Sequence, residues 1–351
     1  MEPVAPFLAA PQHRPRPLPL FMEMLRQETA ANPARMAQAL AGVRAYQEAP
    51  RADRLAPAPA VKTIGRVTLR AFGGSGPPAV FVPSLINPPD VLDVSSENSV
   101  LRWLAGQGVR PYLVDWGMPF DVERDLSIGG HVETLLLPLL ADFGPDLRIA
   151  GYCLGGTMTL ALAMLRPAAG YALLAAPWVF RGFTDASRMM MTELWGHSHL
   201  IADRLGYLPM EVLQIAFWRL DPARTIDKFE RFAHLDPGST KAAEFVALED
   251  WANGGAPLTY GAAREMIEDL FLRDLAGRGT WQIAGRTVDP ATIAAPIFNV
   301  VSRTDRIVPA ASAAPVGTRL DLDLGHVGML VGSRAKAVLL ERLAAWLREP
   351  R

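Results

Sequence analysis

Half of the 351 residues are hydrophobic and a fifth are charged, enough apolar surface for a large core in one domain with an insertion or in two domains. The 35 basic and 36 acidic side chains form no long run of either sign, which argues against a nucleic-acid partner. The longest apolar stretches fall far short of the roughly 20 residues that cross a bilayer, so no integral membrane segment is expected.

Residues 1–60 are rich in proline and alanine and carry one amphipathic stretch, PLFMEMLRQETAANPARMAQALAGVRAYQEA, which reads as an N-terminal helical arm. The opening MEPVAPFLAAPQHRPRPLPLF lacks the basic-then-apolar pattern of a signal peptide, and the chain's single cysteine forms no internal disulfide. Both point to the reducing cytoplasm. From about residue 66 short β-rich runs alternate with helical ones: RVTLRAF, PAVFVPSLI, RPYLVDWG, LRIAGY, YALLAAPW, PIFNVVS and RLDLDLG. Several are continuously apolar, as strands covered by helices on both faces are. The alternation predicts an α/β fold with a mostly parallel central sheet flanked by helices, its first part over 61–178 and its second over 291–351. Residues 179–290 have few strand signals and helical spacing, and read as an inserted helical cap. Its aromatic residues, Trp195, Phe217, Trp218, Phe229, Phe232 and Trp251, suit the exclusion of water from a site and equally the core of an ordinary helical subdomain.

The only cysteine lies in G-Y-C-L-G, residues 151–155, between a strand-like run and a helical one. A buried cysteine used as a small hydrophobe is the plain reading of a lone thiol. The frame favours a nucleophile elbow, the G-x-S-x-G turn with cysteine for serine. A strand ends at Tyr152, the chain turns sharply with Cys153 at its tip, and Gly151, Gly155 and Gly156 let the flanking backbones approach closely. A helix N-terminus at the thiol favours the reactive thiolate.

A thiol nucleophile needs a base, and the base an orienting carboxylate. In the order set by α/β-hydrolase folds, acid and then histidine follow the nucleophile on loops after late strands. Asp305, after PIFNVVS, and His326, after RLDLDLG, occupy those places, and none of the other five histidines does. The oxyanion of a tetrahedral intermediate requires backbone donors. The Leu154 amide is one candidate, and Leu85 or Ile86, on the loop after PAVFV, supplies the other. No metal or cofactor site is expected.

The segments VPSLINPPDVLDVSSENSVLRWLAGQGVRPYLVDWGMP, DLSIGGHVETLLLPLL, LRIAGYCLGGT, DRIVPAASA and LGHVGML resemble the polyhydroxyalkanoate synthases, lipase-like enzymes of the α/β-hydrolase superfamily with a cysteine in the lipase box. The similarity covers about 65–180 and 245–340. Length, the short arm and WQIAGRTVDPATIAAPIFNVV are most similar to the short type that works with a separate subunit. The resemblance implies that Cys153 is acylated by an (R)-3-hydroxyacyl-CoA substrate, that His326 is the general base, and that Asp305 assists the histidine or activates a substrate hydroxyl. It also implies a second synthase subunit as candidate partner, a homodimer as the expected assembly, and the surface of a polyester granule as a location. Arg306 and Ala310 stand where the family usually has a histidine and often an aromatic residue.

Chemistry points the same way. Moving an acyl group from coenzyme A to cysteine exchanges one thioester for another, so the group stays activated for attack by a hydroxyl, provided water is kept out. Two other readings remain at this level: a hydrolase of esters, thioesters or short polyesters, and a non-catalytic granule-surface or assembly protein.

Overall fold

The computed structural model describes residues 14–51 and 55–349; the first 13 residues of the predicted arm lie outside them. Contacts gather the described chain into two compact units, residues 14–51 with 211–255 and residues 55–210 with 256–349.

In the first unit, the stretch that reads as one amphipathic helix is two, Leu18–Thr29 and Pro33–Glu48. Pro33 has no N–H to continue a helix, and its fixed φ suits a first turn. Asn32 caps that turn by accepting the Arg35 N–H. Periodicity carries straight across this break because apolar spacing does not register a missing donor. The second helix crosses Pro222–Phe232 at Gly42, where a Cβ would sit 1.9 Å from the Phe229 carbonyl oxygen. Phe21, Tyr46, Trp218, Phe229 and Phe232 form the unit's core, with Phe245 packed against it. Three of the six aromatic residues considered for excluding water are thus core side chains of this helical unit. Trp195 is buried in the second unit, where its indole N–H donates to Glu268 at 2.8 Å.

The second unit is built on an eight-stranded sheet: β1 (Ala60–Ile64), β2 (Val67–Ala71), β3 (Pro78–Val82), β4 (Arg110–Asp115), β5 (Arg148–Tyr152), β6 (Gly170–Leu174), β7 (Ile297–Ser302) and β8 (Thr318–Leu322). Their spatial order is β1-β2-β4-β3-β5-β6-β7-β8. Every pairing from β4 to β8 is parallel, and only β1–β2 and β2–β4 are antiparallel. β3, β5, β6 and β7 are buried along their whole length, which is why they read as unbroken apolar runs. β1 has no such signature: it is an edge strand with mostly exposed side chains, turned back onto β2 through Gly65 at φ 56°.

The chain passes from β3 out to β4 and then returns past β3 to β5. At such a reversal a crevice opens beyond the carboxyl ends of the strands, so the loops after β3 and β5 face one another there. This is the α/β-hydrolase fold. The helix Leu154–Ala163 leaves the end of β5 and lies close against the sheet. A Cβ at Gly151 would sit 2.4 Å from the Gly156 Cα, one at Gly156 would sit 2.2 Å from the Ala176 Cβ, and one at Gly155 would sit 2.0 Å from the Val82 carbonyl oxygen.

These clearances fix an expected result. Gly155→Ala forces its methyl into rigid backbone and should lower unfolding stability in urea by about 3 kcal/mol or more. Gly106→Ala, where a Cβ meets nothing within 4 Å in the helix Val100–Gly106, should instead raise it by about 0.5–1 kcal/mol. Equal effects would mean that the elbow yields.

Candidate active site

Three strand ends converge on one point. At the end of β5, Cys153 takes φ 55° and ψ −129°, a conformation that L residues rarely adopt. Its N–H donates to the Leu174 carbonyl at 3.0 Å and its own carbonyl accepts the Gly156 N–H at 2.9 Å, so the strained turn is tied on both sides. The side chain is half-buried, at the first turn of the helix.

The loops after β7 and β8 bring the other two residues. The Ser302 hydroxyl at the end of β7 donates to the Leu324 carbonyl beyond β8, and the Arg303 N–H donates to the Leu322 carbonyl at 2.8 Å. Those bonds bind the two loops together. His326 Nδ1–H donates to Asp305 Oδ2 at 2.6 Å, and Asp305 Oδ1 accepts the N–H groups of Ile307 at 2.8 Å and Val308 at 3.0 Å. The Asp305 side chain has 0% exposure, so the carboxylate reaches any substrate only through the imidazole. Nδ1 is taken, which leaves Nε2 as the ring nitrogen open to Cys153, whose proximity helps raise the ring's hold on a proton. Of the three residues nominated from sequence, His326 and Asp305 are thus directly bonded, and Cys153 lies on the imidazole's other side.

Electrostatics agrees with that geometry. Burial alone disfavours a charged ring, and it is the largest single influence on His326. It is outweighed by the charge of Asp305, by Cys153 and by hydrogen bonds to both, and the ring is pushed up to about 10. His131 shows the opposite outcome in the same unit. It is buried with Nδ1–H donating to the Ser127 carbonyl at 2.7 Å and Nε2 accepting from Arg66 at 2.7 Å. Burial pushes it down to about 4, helped by the Arg66 charge.

For the oxyanion, the Leu154 N–H opens the elbow helix and has no acceptor within it. On the facing loop the Ile86 N–H donates to Ser84 Oγ at 3.1 Å, which commits that amide and leaves Leu85, buried beside it, as the candidate. The Trp116 indole braces the same loop by donating to the Pro83 carbonyl at 3.1 Å.

Sequence reasoning passed over two residues of the site. Ser302 ties the acid and histidine loops, and no local signal marks it. Tyr152 packs its ring on His326, with centroids 4.9 Å apart and planes at 29°, and its hydroxyl donates to the His326 carbonyl at 3.2 Å. Its place immediately before the nucleophile was the available clue. A groove of about 710 Å³ lies elsewhere, at the amino ends of β7 and β8 beside Trp346, the wrong end of the strands for this chemistry. Among the described residues no cluster of His, Cys, Asp or Glu is arranged to hold a metal ion, and no helix is long and apolar enough to cross a membrane.

No family model matches the chain. Among curated proteins it is 26% identical over 288 residues to "Poly(3-hydroxyalkanoate) polymerase subunit PhaC" of Haloferax mediterranei, a match covering 78% of this chain and 58% of that protein. The subunits of the same name from Allochromatium vinosum and Synechocystis sp. are 25% and 24% identical, over 78% of this chain and 81% and 78% of theirs. Its curated relatives thus include several poly(3-hydroxyalkanoate) polymerase subunits. The match spans less than two thirds of that Haloferax mediterranei protein, 58%, and of the subunit of the same name from Haloarcula marismortui, 61%. Solved structures similar to the chain include a thermophilic esterase from Thermogutta terrifontis, with TM-score 0.45, 16% identity and coverage of 85% of this chain and 100% of that one. Another is an alpha/beta hydrolase fold protein from Nakamurella multipartita, with TM-score 0.44, 19% identity and coverage of 82% and 98%.

The two buried histidines set opposite limbs of a stability profile. His326, raised to about 10, contributes stability that is complete below the unfolded value near 6.5 and is lost as pH rises toward 10. His131, lowered to about 4, takes up its proton more readily when unfolded, so stability should fall as pH drops from about 6.5 to 4. Urea titrations across pH should show His326→Gln flattening the alkaline limb only and His131→Asn the acid limb only. A variant that flattens the other limb contradicts the assignment.

Proposed function

We propose that this chain is an acyltransferase that takes the acyl group of an (R)-3-hydroxyacyl-CoA onto Cys153 as a thioester, releases CoA and extends a polyhydroxyalkanoate. The observation that carries the reading is a half-buried thiol on a strained elbow, beside an imidazole held by a fully buried carboxylate, in a chain whose curated relatives are polymerase subunits. With its proton already held on His326 Nε2, Cys153 attacks the acyl carbonyl as a thiolate paired with the charged ring. The Leu154 amide, with Leu85 opposite, stabilises the oxyanion. Collapse of the intermediate breaks the bond to CoA sulfur, which leaves with the proton from His326. In elongation the 3-hydroxyl of the next acyl unit gives its proton to His326 and attacks the Cys153 thioester. An ester bond forms and the thiol is restored. Asp305, shut away from solvent, holds the ring tautomer and balances its charge in both halves.

In this reading the acyl-CoA is substrate rather than cofactor, and no metal is required. A second synthase subunit and a second copy of the chain are the proposed partners, in the cytoplasm at the surface of the polyester. A hydrolase acting on esters, thioesters or short polyesters uses the same residues with water as the acceptor. Incubation with 3-hydroxybutyryl-CoA separates the two: CoA with polymer identifies the transferase, and CoA with free 3-hydroxybutyrate the hydrolase. Absence of CoA release, with candidate second subunit added, excludes both.

Cys153→Ala should abolish turnover while circular dichroism and thermal melting stay close to the parent. Cys153→Ser should keep only residual activity, because a weaker nucleophile forms a less activated ester; parental rates from the serine variant would defeat the thioester argument. His326→Gln should remove the first stoichiometric burst of CoA, since glutamine is no base near neutral pH. Asp305→Asn should slow that burst as well. A normal burst followed by stalled elongation would instead move Asp305 to activation of the incoming hydroxyl.

A further inference from the structure

We propose that Tyr152 is a positioning residue, which holds the plane of the His326 imidazole in line between Asp305 and Cys153. The inference rests on the reading of Cys153 and His326 as a working pair. The bond from His326 Nδ1 to Asp305 fixes one ring nitrogen, and a ring pinned at one atom can still swing about that bond. The remaining freedom is removed by a second surface. Tyr152 lays its ring on the imidazole at 4.9 Å and 29°, and its hydroxyl donates to the main-chain carbonyl of the same histidine. One side chain thus holds both the ring and the backbone of His326.

Rigidity passes from strand to loop by this route. Tyr152 ends β5, which is buried throughout and paired on both sides, whereas His326 stands on the turn between β8 and the four-residue helix Gly328–Val331. Tyr152 is also the neighbour of Cys153, so a single peptide unit sets the position of the thiol and of the surface that orients its base. The π face favours a positively charged ring over a neutral one. Phenylalanine would fill the same volume; the hydroxyl adds a bond to the loop that a plain core residue does not make.

The test measures alkylation of Cys153 by iodoacetamide at pH 7, with titration of the His326 ring by NMR. In Tyr152→Leu, and in Tyr152→Met as a second non-aromatic variant, alkylation should slow about tenfold or more and the His326 midpoint should fall by about a unit or more. Tyr152→Phe keeps the stack; it should retain the midpoint and lose about threefold in rate at most. In the parent protein the His326 ring protons should show the upfield ring-current shift of a stacked aromatic face. Parental rate and midpoint in the folded non-aromatic variants, a loss in Tyr152→Phe as large as in Tyr152→Leu, or absence of the ring-current shift each overturns the inference. Alkylation needs no acyl-CoA. Failure to release CoA from 3-hydroxybutyryl-CoA together with this pattern therefore refutes the proposed activity and leaves the role of Tyr152 standing.

Discussion

A cysteine at φ 55° is the constraint on which the site depends. Such a conformation costs on the order of 1–3 kcal/mol and persists only where its surroundings over-determine it. Here they do so through glycine. The elbow helix touches the end of β3 at Gly155 and the end of β6 at Gly156, and Gly151 passes under its first turn. With those contacts closed, the turn has nowhere to relax. The thiol at its tip, the Leu154 amide that follows and the tyrosine that precedes it all inherit their positions from that one clamp.

The buried charge nearby is tolerable because it is fully answered. Asp305 accepts three N–H groups, one from the histidine and two from its own loop, which supply the hydrogen bonds that water would otherwise give a carboxylate. The same side-chain type then behaves in opposite ways within one unit. His326 faces a carboxylate and holds a proton more tightly than in water; His131 faces the Arg66 guanidinium and a backbone carbonyl and gives its proton up. Burial acts against the charge in both, and the neighbour decides the outcome.

Aromatic residues of the long insertion divide by the same logic of local need. A helical unit made of two chain segments requires its own core, and Trp218, Phe229 and Phe232 supply it together with Phe21 and Tyr46. These side chains are therefore committed to packing, and composition alone gave no means of separating core aromatics from residues that keep a site dry.

The sequence by itself determined the tight turn at Cys153, the strands that carry the candidate site and the order in which Cys153, Asp305 and His326 follow those strands. All of these are local: a glycine pattern around one cysteine, continuous apolar runs that must be buried on both faces, and polar residues at their ends. It did not reveal the break at Pro33, which apolar periodicity passes over, nor β1, whose exposed side chains leave only hydrogen bonding to β2 to define it. Only the tertiary structure decided which atoms meet. The Asp305–His326 bond joins residues 21 apart and the Tyr152–His326 bond residues 174 apart, and the side chain of Ser84 engages the Ile86 amide on the loop after β3. Such contacts depend on where the parallel strands end in space, and that is set by the register of the whole sheet rather than by any stretch of sequence within it.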